Sequence, residues 1–250
     1  MRFFWRNASS PLADHGRWVQ RIDRKNRQPG TSAPTLAASW SGPLDLLCAL
    51  ATQPELADIA VDGVIVESKA SFDSYGGNVR NHDLVLSGTT QTNESVVVCV
   101  EAKAGESLGD TVADQRKRAQ HAKQANERSN ASERLDSLLE RLCRLTADDA
   151  QVGALRYQLL TAWAGTLSDA AGSAYAVFAL HEFRTDERPE DKSPHNREEL
   201  DRFAAVVLGC DLPGRVAPWC ARVPDVDGVD ANLYVAHVVT DLRRDHLIGP

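Results

Sequence analysis

The sequence predicts an α/β fold: a mixed central sheet flanked by helices on both faces. Three observations lead there. The runs at 96–100 and 175–183 are rich in valine and aromatic residues without polar alternation, as in strands covered on both sides. The segments 133–145 and 154–171 repeat leucine at helical spacing. Along the chain the order is helix, strands, helices, strand, helix, strands, which suits helical layers over one sheet. A chain of 250 residues can bury a full core as one domain, so 1–250 is read as a single unit.

Taken in order, residues 1–35 are rich in cations (Arg2, Arg6, Arg17, Arg21, Arg24, Lys25, Arg27) and carry Trp5 and Trp18 before a Pro29-Gly30 turn. This segment is either an arm packed on its own domain or a basic arm touching nucleic acid or a second subunit. Ser41-Gly42-Pro43 opens a predicted helix over 36–56, with Leu44, Leu47 and Ala51 in one stripe. Residues 59–68 read as a first core strand, or a strand pair turned at Asp62-Gly63. Tyr75-Gly76-Gly77-Asn78 is a loop ahead of the next strand.

Two apolar runs then follow, Leu84-Val85-Leu86 and Val96 to Val100, bounded by Gly, Thr and Asn as in a hairpin or meander. The second ends in Glu101-Ala102-Lys103. Positions two apart on a strand share a face, so Glu101 and Lys103 point the same way, and Asp83 reaches that face if the strands pair. Charges at the end of a buried strand need partners, because an unpaired one costs several kcal/mol. Two carboxylates suit a hard divalent cation such as Mg²⁺. The lysine can orient an attacking water and offset charge on a phosphoryl group.

After a glycine-punctuated turn holding Glu106, a helix is expected over 111–128. Its stripe of Val112, Ala119 and Ala122 would lie against the sheet. Lys117, His121, Gln124 and Arg128 line another face. That face either receives a phosphate backbone or is a solvated surface balanced by Asp110, Asp114 and Glu127. The helix over 133–145 is core or a dimer seam. The one over 154–171 is apolar on more than one face, hence buried between layers, and carries Tyr157 and Gln158 inward or sideways. The strand over 175–183 ends in His181 and Glu182. Residues 184–196 are a charged loop, 200–208 a helix closed by Gly209, and 219–223 and 233–240 two edge strands.

The pattern resembles the PD-(D/E)XK nuclease superfamily: Asp83, then Glu101-Ala102-Lys103 eighteen residues on, at the end of a hydrophobic strand. His82 stands where the motif's name puts proline. The resemblance spans about residues 40–185, a restriction-endonuclease-like α/β/α core, with an N-terminal arm and a C-terminal helix–strand extension. It implies a Mg²⁺- or Mn²⁺-dependent endonuclease acting on DNA. Asp83, Glu101 and the Ala102 carbonyl would be metal ligands, and Lys103 the catalytic lysine. Asp45 or Glu55 would supply an acidic residue from the first helix, with His82 and Gln158 as supporting residues and Lys117, His121 and Arg128 as nucleic-acid contacts. A homodimer or a regulatory partner protein, in bacterial antiviral defence, is the family-level expectation. The competing reading is a catalytically silent nucleic-acid-binding or assembly module of the same fold. A net charge of −7 does not favour nucleic-acid binding, since proteins that track phosphates usually present a basic surface, and so weighs toward a module that has kept the motif without cutting.

The five cysteines are odd in number, and no Cys-x-x-Cys occurs, which argues against a zinc ribbon and for a reducing cytoplasm. The N-terminal residues lack the apolar run of a signal peptide, and no segment is long and apolar enough to span a bilayer.

Overall fold

The computed structural model describes residues 2–5, 32–39, 44–75, 80–143, 150–187, 192–214 and 216–243. Most of the basic N-terminal segment, the Ser41-Gly42-Pro43 helix start and Gly76-Gly77-Asn78 lie outside them. The elements are β1 (Arg2–Trp5), α1 (Ser32–Ser39), α2 (Leu44–Leu50), a 3₁₀ turn (Pro54–Leu56), β2 (Ala60–Ala70), β3 (Arg80–Thr89) and β4 (Ser95–Lys103). The second half adds α3 (Val112–Ala125), α4 (Ala131–Cys143), α5 (Ala150–Gly153), α6 (Tyr157–Asp169), β5 (Tyr175–Arg184), α7 (Ser193–Phe203) with a π turn (Ala204–Leu208), β6 (Trp219–Arg222) and β7 (Asn232–Asp241).

Seven strands form one mixed sheet in the order β1-β2-β3-β4-β5-β7-β6. The expected hairpin is β3 and β4, closed by Thr90 N donating to Glu94 O at 2.9 Å and by Asn93 at a positive φ of 62°, which asparagine tolerates. β4 pairs parallel with β5, and β5 parallel with β7. Parallel neighbours need long crossovers, and α3 to α6 provide the first of them.

Several expectations need correction. Asp62-Gly63 is no turn: β2 runs through it, and the pairing with β3 merely shifts register between Val61 and Gly63, as at a β-bulge. β7 is not an edge strand. It lies between β5 and β6, and its residues from Leu233 to Val238 are buried. The charged stretch predicted as loop to residue 196 gives way to α7 at Ser193, with Pro194 in the first helical turn, where a missing N–H costs nothing. α3 ends at Ala125, and it packs on α4 and α5 where the sheet was expected. β1 was not anticipated; it pairs parallel with β2.

Alternation divides the sheet into two cores. Val97, Cys99, Phe178, Leu180, Leu233 and Val235 face α4, α6 and α7, whose Leu138, Leu159, Leu160, Trp163 and Phe203 fill that layer. Val98, Val100, Ala179, Tyr234 and Val238 face α1 and α2, with Leu36, Leu46 and Leu50 opposite. Helices therefore cover both faces. α6 is buried over every residue from Leu159 to Thr166, as its all-round apolar sequence predicts. Each large apolar side chain buried here stabilises the fold by about 2 kcal/mol.

Candidate metal centre at the end of β4

The alternation that sends Val97 and Cys99 toward α6 also sends Glu101 and Lys103 there. Both are buried, at 2 % and 5 % exposure. Lys103 Nζ lies 2.5 Å from Glu101 Oε1 and donates to the Ala102 carbonyl at 3.1 Å. Gln158 Nε2, from the first turn of α6, donates to the same Glu101 oxygen. The pair is compensated where it is buried, as the cost of desolvating charge demands.

The start of α6 is held by the turn that follows β4. Val112 N donates to Leu155 O at 2.8 Å, Tyr157 N to Asp110 O at 3.0 Å, and Arg156 to Gly109 O at 2.8 Å. Gly109 has φ 70°, a left-handed conformation that glycine adopts without strain, and a Cβ there would lie 3.6 Å from Gln158 Oε1. Glu106 is committed to this turn, accepting from Ala104 N at 2.7 Å and Ser32 N at 3.1 Å. α3 begins beside it with a capping box between Thr111 and Asp114.

Asp83 completes the group. Cα pairing of β3 with β4 runs from Thr89 opposite Ser95 to Leu84 opposite Val100, and one residue on Asp83 Oδ2 accepts from Ala102 N at 2.7 Å. A carboxylate thus takes the amide where the regular ladder stops. Its neighbour across β2 is Glu67, held at a positive φ of 52° between the Val66–Leu84 and Ser68–His82 pairs. Leu84 and Leu86 face the α1/α2 core, whereas His82 turns to the opposite side and abuts α6 at Gly165.

The structure thus brings Asp83, Glu101, Ala102, Lys103 and Gln158 together, and it sends the other candidates elsewhere. His82 lies against the far end of α6, where Gly165 is seven residues, about 10 Å, along the helix from Gln158. Asp45 accepts from Thr240 Oγ1 at 2.5 Å, and Glu55 from the Tyr234 hydroxyl; both belong to the α1/α2 side of the sheet. The Tyr234 hydrogen bond holds the Glu55 carboxyl below its ordinary pKa. Lys117 and His121 are exposed on α3, and Arg128 lies exposed just past its end. Their neighbours Arg116, Arg118 and Lys123 pair with Asp136, Asp110 and Glu133.

A family model described as a domain of unknown function, DUF6946, matches residues 11–241. The chain belongs to that family. No curated protein and no solved structure matches it. No helix among the described residues of this DUF6946 domain is long and apolar enough to cross a membrane.

Sequence reasoning missed His237 and Asn196. Lys103 is level with Glu182 across the β4–β5 pairing, and Glu182 is buried between the two. Asn196 Nδ2 donates to Glu182 Oε1 at 2.7 Å, and His237 Nε2 lies 2.6 Å from Glu182 Oε2. His237 lies inside an apolar strand and Asn196 in the charged stretch read as loop, so neither stood out. Parallel pairing of β5 with β7 is what joins them, and no local spacing encodes that. His181, one residue away, points to the other face and meets Thr240 Oγ1 at 2.9 Å. Burial pushes its pKa down to about 4, against a smaller upward pull from Asp45.

Proposed function

We propose that this DUF6946 domain is a Mg²⁺-dependent phosphodiesterase that hydrolyses DNA, centred on Asp83, Glu101 and Lys103. The observation that carries this reading is the buried Glu101–Lys103 pair, with the Asp83 carboxylate docked on the amide of the residue between them. Asp83, Glu101 and the Ala102 carbonyl offer oxygen donors alone, which fits a hard divalent ion. Bound there, Mg²⁺ or Mn²⁺ would supply Lewis-acid stabilisation of charge on the scissile phosphate.

The chain's own residues do the positioning. Gln158 and Lys103 fix the Glu101 carboxylate, and the Ala102 amide fixes Asp83, so neither has to reorganise when substrate arrives. Lys103 orients the attacking water and offsets the charge that builds on the phosphoryl oxygens. Exposed Lys117 and Arg128 offer the nucleic-acid backbone cationic contacts outside the buried centre, and His121 a further polar one. Bacterial defence against foreign DNA is the setting that the nuclease resemblance suggests, by analogy alone.

The test is degradation of plasmid and linear DNA with Mg²⁺ or Mn²⁺. Asp83→Asn keeps an oxygen acceptor for the Ala102 amide but removes the charge, and it should lower cleavage at least about 100-fold while the protein stays folded. Cleavage unchanged in Asp83→Asn would refute the assignment. DNA binding without cleavage in the wild type would favour the silent-module reading.

A further inference from the structure

One strand step inward from Glu101, the sheet meets the other end of α6 with a different set of donors. Cys99 on β4 and His82 on β3 are both fully buried, and Asp169 closes α6 with its side chain 26 % exposed. His82 Nε2 lies 3.7 Å from Asp169 Oδ2, and Cys99 Sγ lies 3.8 Å from that same oxygen. One ligand atom from each of the three residues falls within 4.8 Å of the other two. Tetrahedral zinc with ordinary bond lengths sets nitrogen and oxygen about 3.4 Å apart, and sulfur and oxygen about 3.6 Å apart. The observed separations exceed these by a few tenths of an ångström.

We propose that His82, Cys99 and Asp169 form a Zn²⁺ site, with the fourth position taken by water on the partly exposed Asp169 side. An imidazole, a thiol and a carboxylate are a borderline-to-soft donor set, unlike the all-oxygen set at Glu101. One further feature favours a cation. Asp169 sits at the C-terminal end of α6, where the helix dipole disfavours an anion and favours positive charge. Gly165 leaves room for the imidazole: a Cβ there would stand 2.5 Å from His82 Nε2. Burial raises the Asp169 pKa, a desolvation cost that a bound cation offsets, while the Cys99 contact lowers it. Binding deprotonates the Cys99 thiol and releases that proton to solvent. The bound ion would pin the end of α6 to β3 and β4. The site does not depend on the nuclease reading.

Chelator-treated full-length protein titrated with Co²⁺ should take up one equivalent with tetrahedral d–d bands and a thiolate-to-cobalt charge-transfer band, and Zn²⁺ should displace it. Cys99→Ser should remove the charge-transfer band, and Asp169→Asn, at a partly exposed position, should weaken binding at least tenfold. Asp83→Asn should leave the cobalt spectrum unchanged, which separates this site from the proposed catalytic one. Zn²⁺ should raise the Tm of the wild type more than that of Asp169→Asn. A wild-type protein with no charge-transfer band, or a band that survives Cys99→Ser, would overturn the proposal.

Discussion

The two ends of α6 face the same side of the same strand and hold opposite kinds of chemistry. At its start, Gln158 meets Glu101 and Lys103 in a group of oxygens and one ammonium, each charge paired. At its close, Asp169 meets His82 and Cys99, a nitrogen and a sulfur. On β4 only Val100 lies between Cys99 and Glu101. The sheet supplies one direction, and residue type decides the rest. The oxygens at the start suit a hard ion, whereas the thiol and imidazole at the close are softer donors.

That contrast can be broken from either side. The largest effect is expected from Lys103→Met, which leaves Glu101 buried without its ammonium. Chemical unfolding should show a loss of about 3–5 kcal/mol, and the double variant Glu101→Gln/Lys103→Met should recover part of it. His181 sharpens the comparison from the opposite face, because it too is buried but has a hydroxyl, not a carboxylate, at its Nε2. Its pKa is about 4 in the fold against about 6.5 when unfolded, so the unfolded chain binds the extra proton. Stability should be fully present above pH 6.5 and fall as pH drops toward 4, by on the order of 3 kcal/mol, and His181→Gln should flatten that window. Gly165→Ala should cost about 1–3 kcal/mol by forcing the His82 ring away from α6, with a matching loss of cobalt affinity. The smallest effect belongs to Lys117→Ala. Stability should hold within about 0.5 kcal/mol, and the salt dependence of DNA binding should fall by about one phosphate contact.

The start of α6 was more legible in the sequence than its close. Glu101 and Lys103 reveal a shared face through their spacing of two, and the valines before them announce a covered strand. Gln158 could be placed on a helix, but only docking of α6 shows that it meets Glu101. His82, Cys99 and Asp169 are scattered over 88 positions, and their meeting depends on hairpin register and on where α6 ends. Even a correct register would have misplaced His82. Plain alternation puts it on the side of Leu84, and the backbone irregularity around Glu67 and Asp83 turns it to the other. The edge assignment of β7 failed for a related reason: a run buried on both sides is a central strand, and which strands enclose it is set by crossovers that no short window contains.

The strand order also carries a consequence for biosynthesis. β2, β3 and β4 are consecutive and antiparallel, so this meander can assemble while the chain is still being made. β5 lies between β4, whose pairing reaches back about 80 residues, and β7, which begins at Asn232. Until the ribosome has released that last strand, one side of β5 remains an open template at the middle of the future sheet. Vectorial translation thus leaves a strand buried along nearly its whole length half-paired, and during that interval the nascent protein is exposed to mispairing with its neighbours.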